Sequence, residues 1–266
     1  MNVLLLVSLL TLDYRPALLD IPAFSSATAL GGALTASGED ALAVFYNPAG
    51  IGRDGLQFAL ADWFMDTRLA SGAGSLSLGD IGSLGIGVKY LSFGTMSRRD
   101  EQGSYLGDFS AYDLHGKLGY GFRFLRRFAV GLGANLLAEN VDSTSRLTLA
   151  GDFGARFTGP RWSAGIAVRD FAGGGTRFSS SIGVSATPWP WLMATAELEH
   201  VSRLRVRGGA EFRWSDFALR AGFDGINPCA GMGLALGRTR LDYGLLIHGR
   251  LGLVHQLSVG VAGWGR

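Results

Sequence analysis

Asp113, His115 and Lys117 occupy every second position of one stretch, with Asp152 further along. Any strand carrying the first three shows a carboxylate, an imidazole and an amine on one face. A hydrolase would need such a set, with a base, an orienting acid and a polar setting. A second charged series follows: Glu197 and Glu199, then Arg203, Arg205 and Arg207, then Glu211. Neither series is accompanied by a G-x-S-x-G elbow or a G-x-x-x-x-G-K-[ST] loop. The histidines, His115, His200, His248 and His255, are far apart with no repeated ligand spacing, and the single cysteine, Cys229, can form no internal disulfide. These observations predict no catalytic centre, no metal and no cofactor. The alternating charges, including Asp113, Lys117, Asp152, Arg156, Glu197, Glu199, Arg203, Arg205, Arg207 and Glu211, are better explained as salt bridges that neutralise one another inside a crowded interior.

The elements that must position these groups follow from a period of two, which begins at Gly55 and persists to the end. Leu84, Ile86, Val88 and Tyr90 alternate with Ser83, Gly85, Gly87 and Lys89; Leu204, Val206, Ala210 and Phe212 alternate with arginines, glycine and Glu211. This is the signature of strands with one apolar and one polar face. Strands are expected near 55–65, 68–78, 83–93, 108–122, 126–140, 145–157, 161–171 and 176–187. Six more are expected near 190–200, 203–214, 216–224, 228–237, 238–247 and 250–262. They are separated by turn signals such as Gly159-Pro160, Gly173-Gly174-Gly175 and Ser215-Asp216. The count is fourteen, and no long helical pattern interrupts it, which excludes parallel βαβ folds.

Composition decides which face meets which surroundings. The 266 residues are 47% apolar and only 17% charged, against roughly 25% charged in an average soluble domain. Lysine occurs only at 89 and 117, so a soluble outer face is poorly served, and the polar face is filled instead by glycine, serine and alanine. Arginine on the lipid face of a membrane barrel costs about 2–4 kcal/mol at mid-bilayer. Arg203, Arg205 and Arg207 are therefore expected to face inward or to lie at a rim. Trp63, Trp162, Trp189, Trp191, Trp214 and Trp264 fall near proposed strand ends, where aromatic girdles would lie. The sequence thus predicts an all-β protein, a fourteen-stranded antiparallel transmembrane β-barrel at residues 55–266. A bacterial outer membrane is its expected location and outer-membrane lipid its surroundings. A net charge of +2 predicts no nucleic-acid partner.

The apolar run Val3 to Leu12 has the length of a signal-peptide core and is too short to span a bilayer, so residues 1–20 are read as a signal peptide without the usual basic start. Residues 21–54 precede the strands as a separate N-terminal segment, which the resemblance described below implies to be a hatch. A short helix is expected over 39–46, ended at Asn47-Pro48 because proline disfavours helix at the residue before it. Asn47 alternatively only caps a turn.

The block Ala29-Leu30-Gly31-Gly32-Ala33, followed by Gly38-Glu39-Asp40-Ala41-Leu42-Ala43-Val44-Phe45-Tyr46-Asn47-Pro48-Ala49-Gly50-Ile51, resembles the N-terminal signature of the FadL-like outer-membrane proteins, particularly their PorV/PorQ branch. Tyr90-Leu91-Ser92-Phe93-Gly94, Leu241-Asp242-Tyr243-Gly244 and Leu251-Gly252-Leu253-Val254-His255-Gln256-Leu257-Ser258 are similar to that branch too. The resemblance implies a fourteen-stranded barrel with its N-terminal segment folded into the lumen as a plug, and it points to Asn47, Pro48, Ala49 and Gly50 as a hatch and transport motif. The PorV/PorQ branch implies a component of a type IX-like protein export system, whose partners would be other secretion components or exported proteins. The FadL-like alternative is a passive channel for long-chain fatty acids or other hydrophobic small molecules. Only one outward loop, 94–107, is expected to be long.

Overall fold

The computed structural model describes residues 15–172 and 178–262. The apolar run of the expected signal peptide, the Gly173-Gly174-Gly175 turn, the start of the strand expected at 176 and Trp264 lie outside the described residues. The fourteen strands are β1 (Gly55–Asp62), β2 (Arg68–Ser77), β3 (Ser83–Arg99), β4 (Tyr105–Leu125), β5 (Phe128–Val141), β6 (Thr144–Thr158), β7 (Trp162–Phe171), β8 (Ser179–Trp189), β9 (Leu192–His200), β10 (Leu204–Trp214), β11 (Phe217–Asp224), β12 (Asn227–Leu236), β13 (Thr239–His248) and β14 (Gly252–Ala262). Each pairs antiparallel with its neighbours in sequence, and β1 closes on β14 from Gly55↔Ala262 to Asp62↔His255. The expected barrel is therefore present, closed and without a free edge. The end where β1 begins and β14 finishes is called the near end, and the opposite one the far end.

Its faces are inverted relative to a soluble barrel. Phe58, Leu60, Ile86, Leu118, Leu132, Ile182, Leu219 and Leu257 are exposed on the outside, whereas Lys117, Asp152, Glu197 and Gln256 are buried inside. An exterior this apolar is stable only against lipid, because each such side chain left in water forgoes about 1.5–3 kcal/mol. Aromatic rings follow one another around the near end. Phe124, Phe128, Phe157 and Trp162 form one chain of contacts, and Trp189, Trp191 and Phe212 another. With the exposed Trp214 they make an interfacial girdle. Trp63 is a correction to that expectation. It sits in the β1–β2 turn at the far end and packs against inward-facing residues.

The long loop expected at 94–107 is also corrected. β3 and β4 continue into it as a hairpin that overhangs the far end, across a register shift between Ser92 and Thr95 where Gly94 takes φ +73. Only the turn at 100–104 remains, and Asp100 Oδ1 closes it by accepting from the backbone N–H groups of Gln102 and Ser104 at 3.0 and 2.7 Å. The sequence pattern fails there because the hairpin has left the bilayer and no longer needs an apolar face.

The hatch fills the lumen with short turns: α1 (Ala17–Asp20), α2 (Ser25–Ala29), α3 (Asp40–Ala43) and a 3₁₀ turn at Pro48–Gly50. Helices this short cannot sustain themselves, so the wall must hold them. The paired glycines end α2: Gly31 and Gly32 take φ +65 and +78, and their N–H groups bond Thr28 O and Ala27 O in a Schellman arrangement. The helix expected over 39–46 is shorter, because regular geometry stops at Ala43 and Asn47 is extended. Further bonds, from Tyr46 N and Asn47 N to Ala43 O at 3.0 and 2.9 Å, close the remaining turn.

Candidate functional site

The hatch is seated on glycines. Where its backbone crosses the wall, the inward position of the strand lacks a side chain, and any Cβ would collide. A Cβ on Gly131 would lie 2.3 Å from Pro48 C, one on Gly154 2.0 Å from Asn47 Oδ1, one on Gly165 2.4 Å from Thr35 O, and one on Gly244 2.5 Å from Ser25 O. The high glycine content of the chain thus has a packing cause on the lumen side of the strands.

Asn47, fully buried, is the join between hatch and wall. Its Oδ1 accepts from Ala49 N at 3.0 Å and so starts the Pro48–Gly50 turn. Its Nδ2 donates to Thr35 O at 2.8 Å within the hatch, and faces Ala155 O and Ile166 O of β6 and β7 at 3.3 and 3.4 Å. Pro48 supplies the fixed φ of the turn's first residue, and Ala49 and Gly50 are small enough to lie against Gly131 and Arg156. Further ties run along the plug. Ser163 Oγ donates to Ala36 O, Thr195 Oγ1 to Ala33 O, and the backbone N–H of Thr35 to Glu197. Burial pushes the Tyr46 hydroxyl up to about 12, so it stays neutral and accepts from Ala23 N at 3.2 Å.

α1, besides packing on wall leucines, is tied to the wall by Lys89. Lys89 Nζ donates to Leu18 O at 2.5 Å and Ile21 O at 3.1 Å, capping carbonyls at the helix C-terminus where a cation is favoured. Lys89→Met should leave both carbonyls without that donor, at about 1–3 kcal/mol. The expected outcome is protease cleavage within residues 15–21 of the folded barrel, while the wild type resists it.

A belt of charge surrounds the plug in three groups. In the first, Lys117 Nζ lies 2.6 Å from Asp152 and 3.6 Å from Asp170, and Asn135 Nδ2 donates to both carboxylates. Arg15 of the hatch joins Asp170 at 3.2 Å. In the second, Glu199 receives Arg169 at 2.6 Å and Arg207 at 3.0 Å, and Arg207 continues to Asp224 at 2.9 Å. In the third, Arg220 bridges Glu211 and Asp242 at 2.5 and 2.9 Å, with Arg213 and Arg240 at the outside. Three expected members stand elsewhere, and a fourth, Arg205, joins the second group from its exposed side. Arg203 takes the rim position that was its alternative and is corrected only as a member of the lumenal network: it lies exposed in the β9–β10 turn, because β10 begins only at Leu204. Arg205 is half-exposed, about 4 Å from Glu199 and 3.8 Å from Asp224. Asp113 lies away from Lys117, in register with Leu91 and Glu139. Arg156 pairs with Glu39 and Gly38 O of the hatch at 2.9 Å.

Arg169 and Asp170 were not expected as lumen residues, because consecutive strand positions should face opposite ways. A bulge between β6 and β7 sets both against Asp152, with Asp170 at φ +58, and turns both side chains inward. Arg220 and Asp242 carried a readable signal, each flanked by outward-facing leucine or tyrosine.

Toward the far end the inner face changes character. Along β3 the inward positions run Ser83, Gly85, Gly87, Lys89, then Leu91 and Phe93. Leu69, Leu137, Leu246 and Val254 face inward at the same end, and Trp63, Leu18 and Ile21 pack with them into an apolar collar. At the near end, cavities of about 520 and 340 Å³ open beside the hatch, the larger lined by Leu30, Leu42, Arg53, Glu211, Arg213 and Arg240 among others.

A closed barrel with a lipid-facing exterior, a charged lumen wall and an N-terminal plug defines an outer-membrane-type β-barrel with a hatch. No protein-family model matches the chain, and no curated protein sequence does. Among solved structures it is similar to the toluene transporter TodX of Pseudomonas putida, with TM-score 0.67 and 11% identity over 94% of this chain and 98% of that one. It is similar as well to the toluene transporter TbuX of Ralstonia pickettii, with TM-score 0.65 and 13% identity over 90% and 97%. A FadL homologue of Pseudomonas aeruginosa gives 0.63 and 11% over 90% and 98%. The chain therefore has the FadL-like fold.

Proposed function

We propose that this protein is a passive channel for hydrophobic small molecules in the outer membrane of a Gram-negative cell, with Asn47, Pro48, Ala49 and Gly50 holding the hatch that gates it. One observation carries the reading: the inner face, polar or small elsewhere, turns apolar at the far mouth, where it meets the first turn of the hatch. Apolar residues turned into a lumen have no use for ions or sugars, but they lower the free energy of an apolar passenger leaving water. The far end is the outward one on this reading, since it carries the overhanging β3–β4 hairpin and outer-membrane barrels keep their short turns inside the cell envelope. The similarity in fold to toluene transporters supports the same function. A role in protein export has less to stand on, because apart from that hairpin the described far-end turns offer little surface for a large cargo.

The test is uptake of radiolabelled toluene and of a long-chain fatty acid by a Gram-negative host lacking its own hydrophobic-uptake barrel. Expression should raise uptake of at least one probe, and Leu91→Asn with Leu137→Asn should reduce it several-fold while the barrel still assembles. Absence of uptake, together with stoichiometric co-purification of an exported protein, would move the protein to the secretion reading.

A further inference from the structure

The apolar collar is occupied by the protein's own rings. In the β1–β2 turn, Trp63 and Phe64 lie edge to face at 5.4 Å, and Phe64 meets His248 at 5.3 Å. Both rings rest on Cys229, Leu246 and Val254, and Trp63 also reaches the cluster around Leu18 and Leu91. The two residues are only half-buried, so their outer faces remain in solvent. No charged side chain holds them among the described contacts; the turn is closed by Trp63 N to Thr67 O at 2.8 Å and by Thr67, whose N–H and hydroxyl both donate to Phe64 O.

The same turn is built against its own backbone preference. Met65 and Asp66 take φ +56 and +60, consecutive left-handed positions at the tip of a hairpin. Such a turn is ordinarily filled by Asn-Gly or Gly-Gly, since a Cβ is disfavoured there. Met65 is 85% exposed and contributes little packing in return. Two half-exposed rings in an apolar seat, held by no charged partner among the described contacts and carried on a turn of disfavoured backbone conformation, make a displaceable occupant.

We infer that the seat formed by Cys229, Leu246, Val254 and His248 is a receiving site for a flat apolar molecule of about the size of one aromatic ring, which Trp63 and Phe64 fill until a passenger displaces them. Its biological sense rests on the channel reading, but the gate can be tested without transport. Cys229 is the only cysteine of the chain and lies beneath the two rings, so it reports opening. In intact cells, a membrane-impermeant maleimide should label it slowly. Trp63→Ala with Phe64→Ala should label roughly tenfold faster, because the rate follows the population of the open form. Met65→Asn with Asp66→Gly, which suits the turn to its geometry, should label more slowly than wild type. Saturating toluene should speed labelling of the wild-type protein and leave the alanine pair unchanged. Equal labelling of all three proteins, with barrels assembled as judged by heat-modifiable gel mobility, would overturn the gate, as would a Met65/Asp66 variant that labels faster. Should the labelling differences hold while no form takes up toluene, the gate stands and the channel reading falls. If uptake is normal and labelling is uniform, the gate alone falls.

Discussion

Gly154→Val should unseat the hatch and raise the conductance of the barrel. A Cβ at this position lies 2.0 Å from Asn47 Oδ1 and 3.0 Å from both Asn47 Cγ and Pro48 Cδ, before the valine methyls are counted. Neither side can yield easily. Gly154 belongs to a strand paired on both edges, and Asn47 is held by Thr35 O and by Ala49 N. Overpacking of this kind costs about 1–3 kcal/mol, and each hydrogen bond lost when Asn47 moves adds about 0.5–1.5 kcal/mol. The barrel itself should survive, because valine suits a strand and most wall contacts are remote. The expected readouts are a raised ion conductance in planar bilayers and new protease cleavage between residues 31 and 50, with unchanged heat-modifiable mobility. Gly154→Ala combined with Asn47→Gly should recover part of the seal, since it removes the collision with the Asn47 side chain and leaves only the 3.0 Å approach to Pro48 Cδ. Wild-type conductance and protease resistance in Gly154→Val would show that the hatch does not lie against β6.

The barrel was legible because lipid outside and charge inside impose a strict period of two. Strand ends at the near end were read to within a residue or two wherever Gly, Pro or Asp marked the turn, as at Ser215-Asp216 between β10 and β11. Legibility fails wherever the two-sided constraint is lifted. The β3–β4 hairpin beyond Ser92 stands clear of the bilayer, so it has no apolar face to alternate. Arg169 and Asp170 break the pattern because a bulge spends an extra residue, and no residue type announces it. The seat of the hatch was half visible. Lumen-side glycines such as Gly85, Gly87 and Gly231 were legible as small residues, but not their partners in the hatch, which lie up to about two hundred positions away. The apolar collar was hidden for a different reason: Leu91 and Phe93 occupy polar-phase positions, and within a single strand two apolar residues out of phase read as a fraying pattern. Only closure of the barrel brings them beside Leu137, Leu246 and Val254.

The second large effect is expected at Lys117. Its ammonium and the carboxylates of Asp152 and Asp170 are almost wholly screened from solvent, and Asp170 N also donates to Asp152 at 2.8 Å. Lys117→Met removes the cation between two acids and leaves Arg15, at the end of the hatch, as the main counter-charge to Asp170. Breaking a buried pair from one side costs about 3–5 kcal/mol, because a charge is left behind without its partner. Thermal or urea unfolding followed by gel mobility should show that loss. Lys117→Met with Asp152→Asn should regain most of it: the charge is removed from both sides, and the asparagine oxygen can still accept from Asn135 and Asp170. The comparison also bears on permeation. A belt that behaves as buried must be dry, so ions and sugars find no continuous water path past the seated hatch. If Lys117→Met costs no more than a surface ion pair, about 0–1 kcal/mol, water reaches the belt and the lumen is open in the resting protein. A dry belt beneath an apolar collar leaves an apolar passenger as the one class of molecule that loses little by entering the far mouth, and it places the energetic barrier at the hatch.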